Sequence, residues 1–307
     1  MSDGRRPGIV VVGDLMTDVI ALASGPVAAG SDTRARVLVC GGGSAANTAA
    51  WLGAGGHPVA YVGRAGDDEF GRAAVAELAR AGVDCRVGLD PNLPTGTCVV
   101  VVTPDGQRSM FPDAGANAAL SEQDLPGELF VQGAHLHLSG YALLTQGSRP
   151  AALAALAAAR SAGMTISVDP ASVGPIAAVG AGRVLDWIAG ADLLLANADE
   201  AELLAAAAGG PAEPHALDRR FGAVVTKLGA AGARSTRVGS PPQLVSAPQV
   251  DVVDTTGAGD CFAAGFLPVW LAGGTPAEAL RAGCALAARA VTQLGARPPQ
   301  AGAGAAR

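Results

Sequence analysis

The chain has 307 residues, half of them hydrophobic and only 4% aromatic, so its core must be built from Ala, Val and Leu. A net charge of −6 without a basic block argues against nucleic acid or an anionic membrane as the main partner. Its five cysteines (Cys40, Cys85, Cys98, Cys261 and Cys284) form no CxxC pair, which indicates neither a disulfide framework nor a zinc site and fits a reducing cytoplasm.

Ile9–Val12 reads as a buried strand, too short for a signal-peptide core, closed by Gly13. The following Gly13-Asp14-Leu15-Met16-Thr17-Asp18 reads as a loop with two carboxylates. Placed at a strand's C-terminal edge, carboxylates suit sugar hydroxyls, because each ionised oxygen accepts O–H donors; a solvated turn has the same composition. Residues 19–40 suggest a strand pair, and 95–111 a hairpin around Pro104-Asp105-Gly106. Neither fits the strand–helix alternation elsewhere, so together they predict a small accessory sheet.

Between them, Gly41-Gly42-Gly43 leads into a helix carrying Asn47. Glycines let a ligand approach the backbone, and an amide both donates and accepts. Gly41-x-Gly43-x-x-Ala46 also fits a loose dinucleotide fingerprint. The next strand, Val59–Val62, ends in Gly63-Arg64 rather than an acid, which disfavours NAD and leaves only an NADP reading.

The middle alternates: helix 149–162, strand 165–170, helix 176–189, strand 192–197, helix 198–208, then strand 222–227. Such alternation predicts a mostly parallel, doubly wound α/β sheet with helices on both faces and the site at its C-terminal edge. Asn197-Ala198-Asp199-Glu200 has the form of a helix cap. The Ala/Leu runs at 151–159 and 203–208 fall short of a membrane span of about 18 residues. Residues 209–216 read as a surface loop and 301–307 as a frayed tail. His135 and His137 share one strand face without a third metal ligand, and Cys261 reads as a small packed residue.

The last motif is Asp254-Thr255-Thr256-Gly257-Ala258-Gly259-Asp260, a small-residue turn entering an apolar helix. Amides at a helix start lack helical partners and form a pocket for negative charge. A carboxylate in the same turn is placed to take a proton from an alcohol. Anion hole plus base suits phosphoryl transfer, where positioning and charge stabilisation dominate. An ordinary helix cap is the plainer alternative.

This turn resembles the C-terminal signature of the ribokinase-like (PfkB) carbohydrate kinases. Gly42-Gly43-x-x-x-Asn47 with Gly63-x-x-Gly66-Asp67-Asp68-x-Phe70-Gly71 is similar to the N-terminal signature of the same family. The resemblance spans about residues 9–298 and implies a single kinase domain, with lid segments at 19–40 and 95–113 that sometimes form a dimer interface. It implies Asp260 as catalytic base and the amides of Gly257, Ala258 and Gly259 as anion hole. Asp14, Asp18, Gly42, Gly43 and Asn47 match the sugar side. On the nucleotide side, Asn197 and Glu200 match the magnesium motif, with Glu200 acting through water. Gly229 and Gly232 match the turn over the ATP phosphates, Lys227 stands where relatives often carry Thr, and Cys284 faces the adenine. Asp254 and Gly295 match a segment that surrounds potassium in many relatives. Ribokinase itself has Asn at Met16 and an acid at Ser139, which counts against ribose. A hexose, keto-sugar or nucleoside acceptor stays open, with few aromatics for a base to stack on, as does a non-catalytic sugar sensor.

Overall fold

The computed structural model describes residues 8–105, 107–210 and 215–299. The loop at 209–216 and the tail at 301–307 fall partly or wholly outside them.

A nine-stranded sheet forms the body. Its strands are β1 (Ile9–Val12), β4 (Val59–Gly66), β5 (Asp84–Asp90), β8 (His135–Ser139), β9 (Thr165–Asp169), β10 (Leu193–Asn197), β11 (Ala223–Lys227), β12 (Ala233–Arg237) and β13 (Ser240–Val245). Their order is β13-β12-β11-β10-β9-β8-β1-β4-β5. Pairing is parallel from β5 to β11, and antiparallel only where β12 and β13 add to the edge. That antiparallel edge is not apparent in the sequence. The central strands are buried on both faces, which is why Ile9–Val12 and Leu193–Ala196 are unbroken apolar runs.

Helices cover both faces. Helix α4 (Arg149–Ser161) packs beside β8 and β9 in one core with Leu136, Leu156 and Ile166. On the other face, α1 (Ser44–Ala54), α9 (Ala258–Leu271) and α10 (Pro276–Ala290) share a core with Val11, Tyr61 and Phe266. The helix expected at 176–189 is two short ones, α5 (Val173–Val179) and α6 (Ala181–Trp187), divided by Gly180 at φ +102°. No described helix is long and apolar enough to cross a membrane.

The second sheet has four strands in the order β3-β2-β6-β7: β2 (Met16–Ala23), β3 (Ala35–Gly42), β6 (Gly96–Val102) and β7 (Arg108–Asp113). It agrees with the expected accessory sheet, with one correction. Asp18 lies on strand β2, not in a loop after β1, and Gly41 and Gly42 end β3. The chain passes directly from the body into the small sheet, carrying Asp18 over the strand ends. The large sheet turns at β1: the chain adds β4 and β5 on one side, then crosses to β8 on the other. A crevice at such a switch point is where open α/β sheets bind ligands.

Candidate active site

A cavity of about 1000 Å³ opens at the C-terminal ends of β1, β8, β9, β10 and β11 and is lined from both sheets. Asp14, Asp18, Gly43, Asn47, Asn197, Glu200, Lys227, Gly229, Gly232, Gly257, Ala258, Gly259, Asp260 and Cys284 all reach it. Gly42, Asp254 and Gly295 are not among the residues that line it.

At one end, Asp14 follows β1 and serves as a remote cap for α1. Gly43, the residue before the helix, has no side chain to offer. Asp14 instead accepts the Ser44 N–H at 2.7 Å, the Ala45 N–H at 3.3 Å and the Ser139 hydroxyl at 2.9 Å. Gly43 sits at φ +90°, and a Cβ there would lie 2.6 Å from the Asp14 carbonyl oxygen, so only glycine fits. Asp18 is buried beside Gly42, where an added Cβ would lie 2.3 Å from its Oδ1. Burial pushes the Asp18 carboxyl up to about 6; nearby Arg297 opposes the rise, and Asp14 and Asp254 add to it.

Asp260 lies in the first turn of α9, after Gly257 at φ +72°. Its Oδ1 accepts the Ser44 hydroxyl at 2.8 Å and its Oδ2 the Asn47 Nδ2 at 2.9 Å. Burial pushes its carboxyl up to about 8, assisted by Asp169 and Asp14 and opposed by those two hydrogen bonds. A base is most useful with its pKa near the working pH. The Ala258 N–H is turned back to the Thr255 carbonyl at 3.2 Å. Among the three expected amides, those of Gly257 and Gly259 are therefore better placed to serve an anion.

Three neighbouring parallel strands end in Asp169 (β9), Asn197 (β10) and Lys227 (β11), with Asn197 and Lys227 in register. Lys227 Nζ contacts Asp169 Oδ2 at 2.6 Å, and a Cβ on Gly259 would lie 3.0 Å from the same ammonium. Burial disfavours that charge, yet Asp169 and Glu200 hold the Lys227 pKa above its ordinary value. Asn197 and Glu200 form a reciprocal capping box at the start of α7 (Ala198–Ala208). Burial raises the Glu200 carboxyl, Asp169 adds to the rise and Lys227 opposes it. Among the described residues no cluster of three or more His, Cys, Asp or Glu could hold a metal. The carboxylates of Asp169 and Glu200 nevertheless suit Mg²⁺, which keeps several waters and is held through one or two carboxylates. Gly229 and Gly232 bound the turn after β11, and Cys284 joins Phe262, Ala288 and Val291 in an apolar end of the cavity.

Asp254 accepts from the Thr256 N–H at 2.9 Å, the Thr256 hydroxyl at 2.7 Å and the Gly295 N–H at 3.0 Å. Arg108, on β7, reaches the same carboxylate at 3.2 Å and Thr256 Oγ1 at 3.0 Å. Despite burial, these bonds hold the Asp254 carboxyl below its ordinary range. They also tie the small sheet to the Asp254–Asp260 turn. His135 and His137 are core residues bonded to Thr165 and Ser167, and burial lowers their pKa to about 3 and 4. Cys261 is fully buried and its thiol is raised by burial, so it is a packing residue.

Asp169, Ser44 and Arg297 are the parts that the sequence did not single out. Asp169 closes a strand like any polar end residue, and its partner Lys227 is 58 positions away. Arg297 had no motif around it.

Comparison with known proteins gives a consistent picture. A model of the pfkB family carbohydrate kinases matches residues 6–301. The ATP-dependent ribose-1-phosphate kinase of Halopiger xanaduensis is 35% identical, over 84% of this chain and 82% of its own. Among solved structures, an adenosine kinase from Sinorhizobium meliloti superposes with a TM-score of 0.85 at 26% identity, covering 96% of each chain. A fructokinase from Vibrio cholerae O395, bound to fructose, ADP and calcium, superposes at 0.77 with 29% identity over 95% of this chain and 94% of its own.

Proposed function

The chain belongs to the pfkB family of carbohydrate kinases, and from that premise we propose that it transfers the γ-phosphoryl group of ATP to a hydroxyl of an uncharged sugar or sugar derivative. The observation that carries this reading is Asp260, held by Ser44 and Asn47 at a helix start, with Lys227 beside the same turn, Asp14 on the same Ser44 and Asp18 in the same cavity wall. Asp260 takes the proton of the acceptor hydroxyl. The Gly257 and Gly259 amides and Lys227 face the charge on the transferring group. Asn197 and Glu200, with Asp169, sit on the magnesium side, and Mg²⁺ when bound neutralises phosphate charge. Potassium around Asp254 and Gly295 is carried by the resemblance, and the cation would share that carboxylate with Arg108.

The uncharged acceptor follows from the lining. Lys227 is the only lysine or arginine among the described lining residues, whereas the sugar end presents Asp14 and Asp18. A phosphate or carboxylate on the acceptor would meet two acids, while the nearby Arg108 and Arg297 are already paired with Asp254 and Glu77. ATP consumption with Mg²⁺ across neutral sugars, nucleosides and phosphorylated sugars tests this. A neutral acceptor is expected to turn over, with ribose 1-phosphate at least about tenfold poorer in kcat/KM; preference for the phosphorylated sugar would refute the charge argument. A nucleoside acceptor is the second reading, favoured by the apolar Met16, Met110, Leu120 and Tyr141 in the same wall. Binding of sugar without turnover would mark a sensor.

A second copy of the chain is the proposed partner of the small sheet. Val39, Val19, Val99 and Phe111 stand in one cross-strand row over all four strands. Val39 and Phe111 are 58% and 62% exposed, an apolar stripe of the kind that interfaces cover. Phe111→Glu is expected to convert a dimer to a monomer in sedimentation velocity and to raise the sugar KM. A wild-type monomer would sink this assignment.

A further inference from the structure

We infer that Arg297, which lies outside every motif of the sequence, is a positioning residue that fixes the orientation of the Asn47 amide and through it the Asp260 carboxylate; this rests on the kinase reading above. Arg297 is 6% exposed, and an arginine this buried must have its donors engaged. Its Nη1 donates to Glu77 Oε2 at 2.7 Å on α2 (Glu69–Arg80), and Nη2 donates to the Gly42 carbonyl at 2.9 Å. Nε points at Asn47 Oδ1 at 3.4 Å. The planar guanidinium therefore joins α2, the end of β3 and α1 from below the glycine turn. A Cβ at position 41 would lie 2.4 Å from its Cζ and 2.5 Å from Glu77 Oε2, so glycine there leaves this ion pair its room.

An amide has two ends, and only one of them suits a carboxylate. Arg297 carries donors and no acceptor, so Asn47 must offer it Oδ1. The Nδ2 end is then left for Asp260 Oδ2, as observed at 2.9 Å. Without the guanidinium the amide is held by Asp260 alone, and its Oδ1 loses the donor that fixes it from the other side. Arg297 reaches this position from 250 residues away along the chain and does not itself line the cavity. A second cavity, of about 1300 Å³, is lined by Arg297 together with Trp51, Glu77 and Pro298. A small cation has a route there to the space a shortened side chain would leave.

The test uses Arg297→Met combined with Glu77→Gln, which removes the buried charges together and avoids stranding one of them. Both Asn47 and Asn47→Ala backgrounds are needed, with thermal melting to confirm folding. With Asn47 present, kcat is expected to fall about ten- to a hundredfold while the ATP KM is unchanged; with Asn47→Ala in place, no further fall is expected. Guanidinium ion should restore part of kcat to Arg297→Ala but none to Asn47→Ala. Carboxyl NMR of Asp260 is independent of turnover, and its titration should move to higher pH only where Asn47 is present. The other groups facing Asp260 are Ser44 on α1, Asp14 after β1, Tyr141 after β8, Asp169 ending β9, Lys227 ending β11 and the neighbouring Cys261, and all are kept in every variant. An unchanged kcat and titration, or a loss that adds in full to that of Asn47→Ala, would overturn the inference. Wild-type protein inert towards every acceptor would instead sink the kinase reading, and the NMR titration would still decide the role of Arg297.

Discussion

Asp260→Asn is expected to lower kcat by about 10²–10⁴, the range that a positioned general base contributes, and to leave ATP binding by calorimetry within about twofold of wild type. The amide keeps the size of the carboxylate but cannot accept the acceptor's proton. The Gly257 and Gly259 amides, Lys227 and the Gly229–Gly232 turn are untouched, so the contacts proposed for the nucleotide are kept. Turnover within tenfold of wild type would remove Asp260 from the base role. The same carboxyl sets the pH dependence. It must be ionised to act, and burial raises it to about 8, so kcat/KM is expected to climb with pH and level off above about 8. For stability the sign is opposite. A carboxyl raised in the folded chain contributes fully below its ordinary value of 3.8, and that contribution is lost as pH rises through about 8. The chemistry is therefore fastest where this group supports the fold least. A flat rate profile from pH 6 to 9 would contradict the assignment.

Lys227→Met is expected to lower kcat by about 10²–10³, the effect of losing one oriented donor to transition-state charge. Its ammonium abuts Gly259 and is the only lysine or arginine on the described cavity wall. The single variant also leaves Asp169 buried without its partner at 2.6 Å, at a cost of about 3–5 kcal/mol in stability. Lys227→Met with Asp169→Asn separates the two effects. The double variant should regain melting temperature, because no charge is stranded, and should stay slow, because the cation is still missing. Recovery of rate together with stability would show that Lys227 acts only on the fold.

These expectations draw on two kinds of information. Short-range pattern was enough for the alternation of buried strands and helices, for the turn at 254–260 and for the glycines at 42 and 43. Each follows from the backbone freedom, hydrophobic period or helix-end chemistry of adjacent residues. The same reasoning merged α5 and α6, because an apolar helical pattern does not show that Gly180 will take φ +102°. It also left Asp18 in a loop, since only its pairing with Cys40 and Cys98 makes Met16–Ala23 a strand.

By itself, then, the sequence determined the fold class and marked out the 254–260 turn whose amides and carboxylate are the proposed anion pocket and base. The tertiary structure alone decided that Asp169 faces Lys227, that Ser44 and Asn47 hold Asp260 from more than 200 residues away, and that Arg297 lies buried beneath the glycine turn. The physical reason is range. Propensity and periodicity act over a few residues, whereas the partner of a buried charge is chosen by sheet register and helix packing, which bring together side chains whose spacing along the chain carries no signal.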